Sequence, residues 1–421
     1  MEVKTDHILA GQLEKARKAS IALQKLSNEQ RQQILVDLAT ALPRHETDIL
    51  QANQADLTLV ALSDPNRDRL MLDRERIAAL AGSLHQLAAL PDPTGQLLYL
   101  THTPEGLDIQ KITVPLGVVG VIYESRPNVT IDVAALCIRS GNVAILRGGT
   151  DARHTNACLV AIINEVLSAS GHDPAMVQLI APERSLMQQF LAASRYIDVI
   201  IPRGSQALIE FVRKNSAIPV IETGAGVCHT YVELSASLPM AVDIVVNAKV
   251  SRPSVCNALD TVLIDREVAR PFLKSLADDP LFTRVEVFAD PEAWDILHQA
   301  GFANLQPAAT EDFGREFLDY KCSIKIVSGP AEAFAHIARY SSRHSEAIVT
   351  EDRDLQEQFL LEIDAAAVYI NVSTRFTDGA VFGLGAEIGI STQKLHARGP
   401  FALEKLVTEK WLVRGSGQTR K

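Results

Sequence analysis

The chain has 421 residues, 47% of them hydrophobic and 22% charged, which is the make-up of a folded globular protein and excludes a disordered one. That length exceeds what one ordinary core supports, so two domains are expected, with a smaller third element. A net charge of −10 without a lysine- or arginine-rich block argues against nucleic-acid binding or an electrostatic membrane anchor, while leaving room for local basic pockets that take a small anion.

In chain order, residues 6–90 read as helices. Ser27 followed by Gln30 makes a capping box, and Ile34, Leu35, Leu38, Ala41 and Leu42 then recur at helical spacing. The opening stretch lacks the apolar core of a signal peptide, and no run of roughly 18 apolar residues occurs, so a cytoplasmic location is expected. PDPTG at 91–95 breaks the helices, and QLLYLTHTPEGLDIQKITVPLG reads as a β-hairpin around PEG. From 117 the pattern changes to short apolar strands (GVVGVIY, NVAILRGG, MVQLIAP, IDVIIPRG, IPVIETG) separated by helices, which implies a parallel sheet of βαβ units. A second α/β block spans about 230–400, with strands CSIKIV, AIVT and AAVYIN.

In such sheets ligands bind beyond the carboxyl ends of the strands, where RGG at 147–149, PRGS at 202–205 and ETGAG at 222–226 fall. Each glycine turn is also plain structural punctuation when taken alone, and the G-x-G-x-x-G fingerprint is absent. An arginine at a strand end accommodates a ribose 2′-phosphate, so Arg147 favours NADP over NAD, unless it makes only a surface ion pair. Arg147, Gly148, Gly149, Gly204 and Ser205 are the cofactor candidates.

The five cysteines (Cys137, Cys158, Cys228, Cys256, Cys322) are scattered and show no C-x-x-C, so neither a disulfide framework nor a metal site is expected. Cys256, in AKVSRPSVCNALDTVLI, poses a choice between packing and chemistry. Most cysteines behave as small hydrophobes. A reactive one needs a base or positive field to form its thiolate, and donors for the oxyanion made on attack. Glu222 is a candidate acid/base and Asn128 a candidate oxyanion donor, though either suits a turn or cap equally. Ser-Arg-Pro occurs twice, at Ser125–Pro127 and Ser251–Pro253, and each arginine offers a fork for carboxylate or phosphate.

These pieces join in long strings: VPLGVVGVIYESRPNVTIDVAALCIRSGNVAILRGG, IPVIETGAGVCH, SRPSVCNA and AAAVYINVSTRFTDGAVFGLGAEIGISTQKLHARGP. With them the chain resembles the aldehyde dehydrogenase superfamily over nearly its whole length, and most specifically the branch that reduces an acyl phosphate. The resemblance implies an α/β fold with a Rossmann-type parallel-sheet cofactor domain (1–96 and 115–226), an α/β catalytic domain (227–402), and a small oligomerisation element (97–114 and 403–421). It implies that Cys256 is the nucleophile, that Asn128 and the Cys256 N–H form the oxyanion hole, and that Glu222 matches the base of hydrolytic members. Arg147 then stands where those members bind cofactor with lysine, and Glu316 matches the acid on the nicotinamide-side ribose. Arg126, Arg252 and Arg375 are the substrate candidates. Two departures, Ile209 in place of a second glycine five residues after Gly204 and Thr150 three after Arg147, weaken a general NAD-dependent oxidiser. The implied reaction is NADPH-dependent reduction of L-glutamate 5-phosphate to L-glutamate 5-semialdehyde through a cysteine thioester, in proline biosynthesis. A homo-oligomer is implied, with the upstream glutamate 5-kinase as a candidate partner. The rivals are a phosphate-independent NAD(P)-dependent aldehyde dehydrogenase and a non-catalytic nucleotide-binding protein.

Overall fold

A computed structural model describes residues 7–61, 64 and 67–420. Residue 6 and part of the 62–66 stretch, which the sequence reading includes among the helices, lie outside the described residues. The chain forms two compact units, the first comprising 1–223, 383–389 and 400–421, the second 224–382 and 390–399. Residues 383–389 and 400–402, placed by sequence in the second domain, pack with the first unit.

The first unit opens with helices. In Asn28–Arg44 the Ser27 side chain accepts from the Gln30 N–H (3.3 Å) and Gln30 Oε1 accepts from the Ser27 N–H (2.9 Å), so both halves of the capping box form. Ile34, Leu35, Leu38 and Leu42 are buried on one face, joined by Ala39, while Ala41 is only half-buried. Strands β1 (Leu97–His102) and β2 (Asp108–Pro115) pair antiparallel as the expected hairpin. Next come β3 (Val118–Tyr123), β4 (Val143–Arg147), β5 (Val177–Leu179) and β6 (Val199–Arg203), a parallel sheet in the order β5-β4-β3-β6. β3 is buried at every position, as a strand covered on both faces must be.

One expected strand is absent. IPVIETG contributes a single bridge, Ile200 to Val220. The Thr223 hydroxyl donates to the Pro202 carbonyl (2.8 Å), so a side chain takes the acceptor that a continuing ladder would use.

The second unit is built on β7 (Cys228–Val232), β8 (Leu259–Asp265), β9 (Glu286–Ala289), β10 (Leu305–Pro307), β11 (Lys321–Val327), β12 (Ser345–Val349) and β13 (Ala367–Ile370). All seven are parallel, in the order β10-β9-β11-β8-β7-β12-β13. Alternation along β8 feeds two cores: Val262 and Ile264 join one cluster, and Leu263 the other. Helices of opposite faces complete them, Phe272 and Leu276 on the first and Phe334 and Phe359 on the second. Strands β14 (Glu387–Ser391) and β15 (Gly399–Ala402) form a ribbon, and β16 (Val407–Arg414) runs antiparallel to β2. The β1-β2-β16 sheet exposes Leu97, Leu98, Leu100 and Val413, and Tyr99 meets Trp411 edge-on at 5.7 Å. No helix among the described residues is long and apolar enough to cross a membrane.

The second core carries a titration that acid should expose. His336 is buried against the rings of Tyr340 (4.6 Å), Phe313 (5.3 Å) and His229 (5.6 Å). Burial first, then the neighbouring His229, pushes its pKa down to about 3. The unfolded ring takes a proton near pH 6.5 and the folded ring does not, so stability present above 6.5 is lost as pH falls toward 3. His336→Phe keeps an aromatic ring and removes the proton site. Relative to that variant, the wild type should lose about 1–2 kcal/mol between pH 7 and pH 5 in urea unfolding. A difference that does not move with pH would refute the assignment.

Candidate active site

All five cysteines are reduced thiols, and Cys256 is half-buried. Its loop, 251–257, runs from the end of helix Leu238–Val250 to the start of β8. Three devices fix it. The buried Cys228 thiol donates to the Cys256 carbonyl (3.3 Å). Gly226 lies so close that a Cβ there would fall inside the same carbonyl group and 2.8 Å from the Cys256 Cα. The side-chain amide of Asn257 donates to the carbonyls of Thr377 (2.9 Å) and Arg375 (3.2 Å), and the Asn257 backbone carbonyl accepts from the Thr374 hydroxyl (2.8 Å). Arg375 completes the brace, its Nε donating to Ser251 Oγ (3.1 Å) and its Nη1 to Asn257 Oδ1. Arg252, on the same loop, is exposed.

Beneath the loop lies a buried polar floor. The Gly226 N–H donates to Glu316 Oε1 (2.8 Å), which brings Glu316 to the same cluster as Cys256. Asp260 accepts from the N–H groups of Phe317 (3.1 Å) and Cys228 (3.5 Å) and faces Lys249 at 3.7 Å, both members of that ion pair being almost wholly buried. Burial pushes the Asp260 carboxyl up to about 7, with Lys249 opposing. Burial likewise pushes the Cys228 thiol well above its ordinary value, so it stays protonated and acts as a donor.

The other predicted residues belong to the first unit. Asn128 opens helix Asn128–Arg139, just past the carboxyl end of β3, and its Nδ2 donates to Asp132 Oδ2 one turn on (3.1 Å). Burial pushes Asp132 up to about 6, while that hydrogen bond and Arg203 oppose the rise. Arg126 lies in the turn before the helix, its carbonyl accepting from the Val129 N–H (3.1 Å). Glu222 faces Arg213 at 3.9 Å.

Arg147 closes β4. Its Nη2 donates to the Pro182 carbonyl (2.8 Å), while its Nε is buried without a partner among the described residues. Burial pushes this guanidinium below its ordinary value, and Glu183 opposes. A buried, unsatisfied cationic donor at a strand end fits an anionic ligand. The glycines have nearer reasons. A Cβ at Gly148 would strike Asn156, one at Gly149 Asp151, and one at Gly204 the Glu124 carboxylate. Glu124 also accepts from the Ser205 N–H (2.8 Å).

Sequence reasoning missed Asn257, Cys228, Asp260 and Asp132. Only Asp132 had a local signal, an Asn–Asp pair four apart at a helix start. The others work across long separations, 118 residues for the Asn257–Arg375 contact.

Residues 5–292 match the model of the aldehyde dehydrogenase family. The gamma-glutamyl phosphate reductase of Chlorobium phaeobacteroides (strain BS1) is 51% identical over 97% of this chain and 98% of its own. That of Legionella pneumophila (strain Lens) is 50% identical over 98% and 99%. The crystal structure of gamma-glutamyl phosphate reductase from Thermotoga maritima superposes with a TM-score of 0.92 at 39% identity, covering 98% of this chain and all of that one. The chain belongs to the aldehyde dehydrogenase family and, within it, to the gamma-glutamyl phosphate reductases.

Proposed function

We propose that the chain reduces L-glutamate 5-phosphate to L-glutamate 5-semialdehyde and phosphate with NADPH, through a thioester on Cys256. The observation that carries this is a half-buried thiol on a loop clamped by side-chain hydrogen bonds and flanked by two arginines, in a chain half-identical to reductases of that name. The Cys256 thiolate attacks the acyl carbonyl, the carbon–oxygen bond to phosphate breaks, and phosphate leaves with the electron pair. When bound, the nicotinamide cofactor supplies a hydride to the thioester carbonyl. The carbon–sulfur bond then breaks, releasing aldehyde and restoring the thiolate. Asn128 and the Cys256 N–H steady the oxyanion at both tetrahedral stages. Arg126, Arg252 and Arg375 serve the substrate's phosphate and carboxylate. Arg147 suits the 2′-phosphate that distinguishes NADPH, with Gly148, Gly149, Gly204 and Ser205 around it and Glu316 toward the ribose. The exposed apolar side chains of the β1-β2-β16 sheet, on both of its faces, support assembly into a homo-oligomer.

Phosphate is already a good leaving group, so no water-activating base is needed at Glu222. Glu222→Gln should lower kcat by less than about 10-fold, against the 10²–10⁴-fold typical of losing a general base. A variant as inactive as one lacking Cys256 would assign Glu222 an essential proton transfer.

The overall test runs in reverse, which avoids the labile acyl phosphate. NADP⁺ reduction is followed with 1-pyrroline-5-carboxylate, with and without inorganic phosphate, and repeated with NAD⁺. Phosphate-dependent turnover that prefers NADP⁺ is expected. Turnover without phosphate would mean that water accepts the acyl group and that the chain acts as an aldehyde dehydrogenase.

A further inference from the structure

An ordinary thiol is only a few per cent thiolate at pH 7, so a cysteine nucleophile needs a source of positive potential. The geometry of the second unit points to one: we propose that the Arg375 guanidinium, braced across the nucleophile loop, is the charge that holds Cys256 as a thiolate before any substrate arrives. This rests on Cys256 being the nucleophile, and it gives Arg375 a task distinct from gripping substrate.

Ser251 and Asn257 bracket Cys256 in the chain, and Arg375 donates to the side chains of both. The return contacts run from the Asn257 amide to the Arg375 and Thr377 carbonyls and from the Thr374 hydroxyl to the Asn257 carbonyl. The guanidinium therefore cannot shift without carrying the thiol loop with it. Both acceptors, a hydroxyl and an amide oxygen, are neutral. They fix the orientation of the charge without cancelling it, as a carboxylate partner would. Arg375 is half-buried, so its field is screened less than that of a surface arginine. Burial and the neighbouring Arg252 disfavour its charge, and among the groups that favour it Cys256 stands ahead of Asp378 and Cys228.

Other charges of this unit face the same place. Arg252, on the loop itself, adds to the effect. Asp378 follows the arginine turn, Glu316 sits on the Gly226 amide, and Asp260 and Glu346 lie near Cys228; each opposes a thiolate when charged, Asp260 less than the others because burial holds it partly protonated near pH 7, and the His344 ring approaches Cys228 at 3.9 Å. With four acids close by, an oriented arginine is what tips the balance toward thiolate.

The experiment measures the rate of carboxamidomethylation of Cys256 by iodoacetamide against pH in the substrate-free enzyme, with the site located by peptide mass spectrometry. Arg375→Met should move the alkylation profile to higher pH and slow the reaction at pH 7 by about 5–10-fold, the low end of the effect of a neighbouring opposite charge. Arg375→Lys should recover part of the loss. Asn257→Ala, which keeps the arginine and removes its brace, should shift the profile in the same direction. If Arg375→Met does not fold, the lysine and Asn257 variants carry the test alone. An alkylation profile unchanged in these variants, with a raised KM for the acyl phosphate, would overturn the inference and leave Arg375 with substrate binding alone. Cys256→Ala is assayed alongside. Should that variant turn over, the nucleophile reading itself fails; should it be inactive while the profiles stay unchanged, only the role of Arg375 falls.

Discussion

Replacing Cys256 with alanine should lower turnover by a factor on the order of 10⁴ or more, the scale seen when an enzyme loses its only nucleophile. Without a thioester, phosphate must be expelled with no covalent acceptor in place, and the split of one hard step into two easier ones is lost. The fold should survive. The loop's anchors are the Cys256 carbonyl, held by the Cys228 thiol, and the Asn257 side chain, and neither belongs to the deleted sulfur. Truncating a half-buried thiol should cost about 1 kcal/mol or less of stability. The measurement pairs kcat for phosphate-dependent NADP⁺ reduction with a urea melt. Residual turnover above about one per cent, with the melt unchanged, would contradict a thioester on Cys256.

Gly226→Ala should be nearly as damaging for a different reason. Gly226 is absent from the positive-φ glycines, so the constraint there is space. The added carbon would fall within the Cys256 carbonyl group, and a backbone atom cannot rotate aside as a side chain does. The loop must therefore move, dragging the thiol with it and straining the Gly226 N–H bond to Glu316. Overpacking of this kind costs about 1–3 kcal/mol. A displacement near 1 Å of a reacting group costs about 10²-fold in rate. Gly224→Ala is the control, two residues earlier in the same ETGAG turn. The three atoms nearest its new carbon belong to the Thr392 side chain, whose Oγ1 (2.5 Å) and Cγ2 (2.8 Å) can rotate while its Cβ (3.2 Å) must give slightly, so the clash is milder than one with a backbone carbonyl. The expected order of kcat is wild type, then Gly224→Ala, then Gly226→Ala far below. Equal effects at the two glycines would mean that the contact with the nucleophile loop is not what selects Gly226.

The parallel sheets were legible because strands covered on both faces are largely apolar, as β3 is throughout and as β8 is over Val262–Ile264, although β8 also buries Asp260, Thr261 and Asp265. The same rule misled at IPVIETG. Its apolar residues are buried or half-buried, yet pairing stops at Val220: the next position on β6 is Pro202, which has no N–H to give, and its carbonyl is taken by the Thr223 hydroxyl. Cys256 stood out through its neighbours in the chain. Asn257 did not, although it is one residue away, because everything it holds lies near position 375 and only the folded chain brings the two stretches together. At Gly148, Gly149 and Gly204 an added Cβ would meet a side chain of the protein itself, a packing reason for glycine that the sequence pattern alone does not separate from a ligand cradle.

The brace between Asn257 and the 374–377 turn also sets an order of events at the ribosome. Its two halves are separated by about 120 residues of chain, which at about 5–20 residues per second take on the order of ten seconds to synthesise. Through that interval the nascent chain already displays Cys256, but neither the amide clamp nor the guanidinium that restrains it has been made. The thiol is born ordinary, and by the inference above becomes reactive only when the later stretch closes over its loop. A chain stalled before residue 374 would carry the cysteine without its reactivity, which keeps a strong nucleophile away from cellular electrophiles until the rest of the unit is there to contain it.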